Sequence, residues 1–181
     1  MLHFISDLHL SPRTPGIEAL FRAFLASIAP PENGEPNALY ILGDLFDTWI
    51  GDDDDSPFAG SIAAALKTAS SAGTRLFFLR GNRDFLLGAD FIRKAGMTLL
   101  PDPCLLSTPQ RRFILSHGDS LCVNDSAYQQ FRAQTRAPAW QADFLQKTLP
   151  ERRRLAASLR QQSQMEKDRK PACLTDLAPG A

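Results

Sequence analysis

The chain has 181 residues, with 20 Lys and Arg against 20 Asp and Glu, so its formal net charge is zero. That length supports one domain with a substantial core. The charge balance leaves no global field to draw a nucleic acid, and no apolar run approaches the roughly 18 residues of a spanning helix. Three cysteines, Cys104, Cys122 and Cys173, are odd in number and lack metal-ligand spacing, and they read as reduced thiols of a cytosolic protein. Met1 leads straight into an apolar stretch and then into Asp7 and His9, which is not the pattern of a signal peptide.

Leu2 to Ser6 reads as a strand, followed at once by Asp7-Leu8-His9 and the breaker Ser11-Pro12. Ile17, Leu20, Phe21, Phe24, Leu25 and Ile28 fall at helical spacing, with Thr14-Pro15 as the start of that helix. Leu39 to Leu42 is a short apolar run of the kind buried in parallel sheets. Gly43 stops it, and Asp44 stands just past its carboxyl end, the edge at which ligands bind in open α/β sheets. A helix is expected from about Ser56 to Ala72, with Pro57 in its first turn and Gly73 after its last.

The pattern then repeats. Arg75 to Leu79 reads as a strand ending in Gly81-Asn82-Arg83-Asp84, with a short helix expected over Phe85 to Ala95 and a small edge strand over Met97 to Leu100. Arg112 to Ser116 reads as a fourth strand ending in His117-Gly118-Asp119. From Asn124 to about Gln164 the chain becomes helical, with breaks at Pro138 and Pro150. Strands alternating with helices predict an α/β fold with a largely parallel sheet. The helical stretch interrupts that alternation and is expected to be an insertion that covers the site.

Four strands therefore deliver polar donors to one sheet edge: Asp7 and His9, Asp44, Asn82 with Arg83 and Asp84, and His117. Taken alone, each has a plainer role open to it: a helix cap for Asp7, a turn for Asn82, a satisfied polar histidine for His9 or His117. Asp84 could orient a ligand or Arg83. Together, oxygen and imidazole donors without cysteine suit Mn²⁺, Fe²⁺ or Zn²⁺. Asp7 and His9, two apart, would face the same way in an extended chain. Asp44 is central among them and is expected to bridge two ions held about 3.5–4 Å apart, with water as the nucleophile. The planar fork of Arg83 suits charge developing on a phosphate. The acidic run of residues 44–55 contrasts with the basic residues Arg152, Arg153, Arg154, Arg160, Lys167, Arg169 and Lys170. That contrast suggests a cation site beside an anion-binding region, although a solvated helix face would show the same basic run.

These residues carry a resemblance. Asp7-Leu8-His9, Gly43-Asp44-Leu45-Phe46-Asp47, Gly81-Asn82-Arg83-Asp84 and His117-Gly118-Asp119 resemble four motifs of the calcineurin-like metallophosphoesterases. Trp49-Ile50-Gly51-Asp52-Asp53, the loop Gly81 to Gly88, His117 to Cys122, and Asp125 through Tyr128 to Phe131-Arg132 narrow it to the branch that hydrolyses UDP-2,3-diacylglucosamine in lipid A biosynthesis. The resemblance implies an α/β/β/α sandwich and a two-ion, Mn²⁺-dependent attack of water on the α-phosphate, giving UMP and the sugar 1-phosphate. It implies Asp7, His9 and Asp44 at one ion, and Asp44, Asn82 and His117 at the other. Asp44, Arg83 and His117 would form the catalytic set. Asn82, Arg83, Asp125, Ser163, Lys167 and Lys170 would contact substrate, although some relatives carry Asn where Lys167 stands.

The acyl chains would lie among Phe131, Trp140, Phe144, Leu145 and Leu149, which would serve equally as ordinary lid core. Arg152 to Arg154 would meet an anionic inner-membrane surface from the cytoplasmic side. The family's Gly-His-Thr-His motif is not in the sequence, whose histidines are His3, His9 and His117. The expectation is that residues 1–123 form the first half of the domain, 124–170 the insertion, and 171–181 the start of a second half and second sheet that the chain lacks. Weak or absent hydrolysis and marginal stability would follow. Another phosphoesterase of the same family, or a non-catalytic binding module of this fold, remain as alternatives.

Overall fold

The computed structural model describes residues 1–29 and 37–169. The chain divides into two compact units, Met1–His117 and Gly118–Ala181. In the first unit, β1 (Leu2–Ile5), β2 (Ala38–Leu42), β3 (Arg75–Leu79) and β4 (Met97–Leu99) form a parallel sheet in that order. The crossovers carry α1 (Pro15–Ser27), α2 (Pro57–Ser71) and α3 (Ala89–Ala95), the connection that parallel neighbours require. The register pairs Phe4 with Tyr40 and Tyr40 with Phe77.

Side-chain alternation assigns the two faces of the sheet. Leu39, Ile41 and Phe78 are fully buried at 0 % exposure. His3 points the same way and meets Phe24 edge-on at 6.0 Å, which places α1 on that face. On the other face Phe4, Tyr40 and Phe77 stack across three strands, with ring centroids 5.2 and 4.7 Å apart. Tyr40, Ala38 and Leu79 there form a cluster with Leu115, and Cys104 and Leu106 pack against it. That face is incompletely covered, since Phe4 is 43 % exposed.

Two expectations change. Arg112–Leu115 is not a strand of the parallel sheet. It is β6, and it pairs antiparallel with β5 (Cys104–Ser107) in a separate two-stranded sheet. The cause is local: Thr108 N donates to Arg111 O at 2.8 Å, and Arg111 N donates to Thr108 Oγ1 at 3.0 Å, closing a tight hairpin. The helix expected from Phe85 starts only at Ala89, because the preceding residues are folded into a loop: Leu87 N bonds Asp84 O at 2.9 Å and Arg80 Nε bonds Leu87 O at 2.7 Å.

The second unit contains a short 3-10 turn (Asp119–Leu121), α4 (Ser126–Arg136), α5 (Pro138–Gln146) and α6 (Leu149–Arg169). Pro138 opens α5 and Pro150 lies in the first turn of α6, where the missing N–H costs nothing. Phe144 is buried and stacks on Trp140 at 5.1 Å. Arg152 is 2 % exposed and donates to Lys147 O at 3.0 Å, so of the three arginines expected at a membrane only Arg153 and Arg154 are exposed. Cys104 and Cys122 are free thiols; Cys173 lies outside the described residues. Among the described residues no helix is long and apolar enough to cross a membrane.

Candidate metal centre

The site is built where β1 and β2 end. Past the strands the two chains stay zipped together: Asp7 N donates to Gly43 O at 3.2 Å, His9 N to Asp44 O at 3.0 Å and Leu10 N to Leu45 O at 2.8 Å. This zipper sets Asp7 and His9 beside Asp44. Asp7 and His9 are not extended, as their spacing suggested. They have φ of +56° and +47°, and Asp44 has φ of +53°. The left-handed conformation costs an L-residue about 1–2 kcal/mol, so three such residues in one cluster mark a geometry held for a purpose. One donor atom from each of the three lies within 4.8 Å of the others.

Asp44 is 2 % exposed and reaches in two directions. Its Oδ2 lies 3.8 Å from His9 Nδ1, and its Oδ1 lies 3.7 Å from His117 Nε2 and accepts from Arg83 N at 2.8 Å. Burial raises its carboxyl pKa, against the opposing pull of His117, the Arg83 N–H, His9 and the Arg83 charge. His117 arrives from the β5–β6 hairpin. Its Nδ1–H donates to Leu42 O at 2.8 Å, which fixes the tautomer and leaves the Nε2 lone pair facing the carboxylate.

Asn82 completes the group. With its amide nitrogen inward it donates to Asp44 Oδ1 and Oδ2 at 3.1 and 2.8 Å and to His117 Nε2 at 3.2 Å. With its oxygen inward, three acceptors converge, an arrangement that a cation or a proton between them would stabilise. His9 Nδ1 is buried and makes no hydrogen bond. A buried polar atom without a partner, backbone strain at the three clustered donors, and an all-oxygen-and-imidazole set fit a divalent cation.

Asp84 holds the framework. It is fully buried and accepts from Gly81 N at 2.8 Å and Asp44 N at 3.3 Å through Oδ1, and from Leu45 N at 2.8 Å and Phe46 N at 3.4 Å through Oδ2. Burial, then the Asp44 charge, push its pKa up to about 6 against these N–H donors. The β2 and β3 exits touch so closely that a Cβ on Gly43 would lie 2.6 Å from the Gly81 Cα, and one on Gly81 would overlap Asp44.

The structure thus brings together Asp7, His9, Asp44, Asn82, Arg83 and His117, all in the first unit. Asp125 and Ser163 belong to the second unit. Asp125 caps α4, with Oδ1 accepting from Tyr128 N at 3.1 Å, and Ser163 is exposed on α6. Lys167 is on α6, and Lys170 lies outside the described residues. Of the aromatic and aliphatic acyl-chain candidates, Phe144 is buried, whereas Phe131 and Leu145 are exposed. No residue pattern pointed to a physical role for Asp52, two of whose partners lie far along the chain at Gly88 and Phe91, or for the carbonyl of Leu42.

The family model for calcineurin-like phosphoesterases matches residues 2–157. The chain belongs to the calcineurin-like phosphoesterase family. Within that family it is 54% identical to a UDP-2,3-diacylglucosamine hydrolase of Stenotrophomonas maltophilia strain K279a, over 89% of this chain and 63% of the relative. A relative of the same name from Chromobacterium violaceum is 50% identical over 98% of this chain and 72% of its own length. One from Neisseria meningitidis serogroup A is 49% identical over 97% and 72%. The chain therefore spans 63% to 72% of the length of these phosphoesterase relatives.

Proposed function

We propose that this chain hydrolyses the pyrophosphate bond of UDP-2,3-diacylglucosamine, giving UMP and 2,3-diacylglucosamine 1-phosphate, a step of lipid A biosynthesis. The observation that carries the reading is the convergence of Asp7, His9, Asp44, Asn82 and His117 at one sheet edge, supported by relatives that bear the hydrolase name. Asp7, His9 and Asp44 would hold one Mn²⁺, and Asp44, Asn82 and His117 a second. When bound, the ions would supply Lewis acidity to the phosphoryl group and acidify a water. Asp44 faces both groups of donors, and Asp84 fixes its backbone. His117 presents Nε2 because Leu42 O engages its Nδ1–H. Arg83 offers its guanidinium to charge on the phosphate, with its peptide N–H anchored on Asp44.

Asp125, Ser163, Lys167 and Lys170 would contact the substrate, and residues 124–170 would form a helical insertion that receives its acyl chains. Phe131, Leu145, Leu155 and Met165, 38 %, 41 %, 40 % and 46 % exposed, are among the apolar side chains there with surface to offer. Exposed Arg153 and Arg154 on α6 support peripheral attachment to the cytoplasmic face of an anionic inner membrane. A nucleic-acid partner is disfavoured by zero net charge. The test is release of UMP from UDP-2,3-diacylglucosamine by the Mn²⁺-loaded chain, followed by chromatography. Turnover of simple phosphodiesters with none of this substrate would assign the site to a different phosphoesterase reaction.

A further inference from the structure

We infer that Asp52 is a positioning residue for Arg83, acting through Trp49 and the loop that carries Asn82 and Arg83; the inference rests on the phosphoryl-transfer reading above. Asp52 belongs to an acidic run close to the metal centre, yet its oxygens are turned to protein donors. Its Oδ1 accepts from Trp49 Nε1 at 3.2 Å and from Gly88 N at 2.9 Å, and its Oδ2 accepts from Phe91 N at 2.9 Å. Through these three bonds one side chain ties its own stretch, Trp49–Asp52, to the entry of α3. The fit leaves no room for a side chain at position 88, because a Cβ on Gly88 would lie 2.8 Å from Asp52 Oδ2.

Trp49 transmits the hold. Trp49 is 5 % exposed, and its ring sits against Phe46 and Phe91, each with centroids 4.7 Å away. Its backbone N donates to Arg83 O at 3.1 Å. The Arg83 peptide is thereby gripped at both ends, its N–H by Asp44 Oδ1 at 2.8 Å and its carbonyl by Trp49. The loop as a whole is pinned at its start by Asp84 on Gly81 N and at its end by Asp52 on Gly88 N.

These anchors separate by role. Asp84 and Asp44 secure the donors of the metal centre, and they do so without Asp52. Loss of the Asp52 carboxylate would leave the Trp49 indole and two backbone N–H groups without an acceptor in a part-buried place, a cost that relaxation of the loop relieves. Trp49 would shift, and the Arg83 carbonyl would lose its donor. The consequence falls on the placement of Arg83, and a small misplacement of a charge-stabilising group costs rate rather than metal affinity.

The experiment uses the full chain loaded with Mn²⁺ and the variants Asp52→Ala, Asp52→Asn, Arg83→Ala and the double variant Asp52→Ala/Arg83→Ala. In Asp52→Ala, hydrogen exchange across residues 80–91 should accelerate by about tenfold or more, as expected for a local opening. Mn²⁺ affinity should stay within about twofold of the parent, well short of the 10–100-fold that follows disruption of a ligand's own support. Turnover of UDP-2,3-diacylglucosamine should fall about 10–100-fold with KM nearly unchanged, and the double variant should be no slower than Arg83→Ala alone, the non-additivity of residues that act as a unit. Asp52→Asn keeps one acceptor oxygen and should recover part of the loss, and it serves in place of Asp52→Ala if that variant does not fold. Additive losses in the double variant, or unchanged exchange over residues 80–91, would overturn the inference. If the parent itself releases no UMP, the functional reading fails, and exchange and Mn²⁺ affinity alone decide whether Asp52 positions the Arg83 loop.

Discussion

At the scale of single residues, the centre is paid for in backbone strain. Asp7, His9 and Asp44 occupy left-handed φ, and the zipper between the β1 and β2 exits keeps them there. A glycine adopts that region freely, whereas alanine carries the same penalty as histidine. His9→Gly should therefore be more stable than His9→Ala by about 1 kcal/mol, although both variants lose the imidazole and should bind Mn²⁺ far more weakly than the parent. Urea denaturation of the metal-free variants, paired with Mn²⁺ titration, checks both halves. Equal stability of the two would mean that φ at His9 relaxes in solution. This strain was not legible in the sequence. The two-residue spacing of Asp7 and His9 suggested an extended segment, and only the register of Leu10 beside Phe46 shows why the chain turns instead.

Elements bring the donors together by different routes. Parallel strands deliver Asp7, His9, Asp44 and Asn82, and apolar runs ending in Gly-Asp and Gly-Asn made that delivery readable from the residues alone. His117 comes from a hairpin that such runs do not announce, because β6 shows only Leu115 buried. In the second unit, α4 is held to the 3-10 turn by Asp119, whose Oδ2 accepts from Tyr128 Oη at 2.9 Å, Arg132 Nε at 2.9 Å and Arg136 Nη2 at 3.2 Å. Burial works against this carboxylate, but the Arg132 hydrogen bond and the charges of Arg136 and Arg132 outweigh it, so its pKa lies below the usual range. A depressed folded pKa adds stability above the unfolded value, about 3.9, and that contribution is lost as pH falls through the folded value. Asp119→Asn should cost about 1–3 kcal/mol at neutral pH, the range for depriving part-buried donors of their acceptor. The difference from the parent should shrink below the ordinary carboxylate pKa. Helical circular dichroism melts across pH would show it, and a gap that stays constant down to acid pH would assign the loss to packing instead of charge.

Across the whole molecule, the parallel sheet and its crossover helices were readable because their apolar runs are buried on the helix side. What the residues did not reveal is the β5–β6 pair, whose outward face is apolar. Leu105 and Ile114 stand opposite each other in register and are 62 % and 77 % exposed. Periodicity assigns apolar residues to a core, so two that face solvent mislead it. The strands of this pair also have unpaired outer edges among the described residues, and an apolar two-stranded element with open edges offers the kind of surface on which chains pair edge to edge. Substitution at such exposed positions changes stability by no more than about 0.5 kcal/mol. Leu105→Lys with Ile114→Lys should thus leave the melting temperature nearly unchanged while suppressing self-association. The charges would repel across the short cross-strand distance, a cost of a few tenths of a kcal/mol at an exposed pair, so Leu105→Lys with Ile114→Glu is the better-matched control. Light scattering against concentration is the measurement. Both variants should scatter as a smaller species than the parent, and if association persists in both, its seat is elsewhere, with half-exposed Phe4 on the open face of the parallel sheet the next residue to substitute.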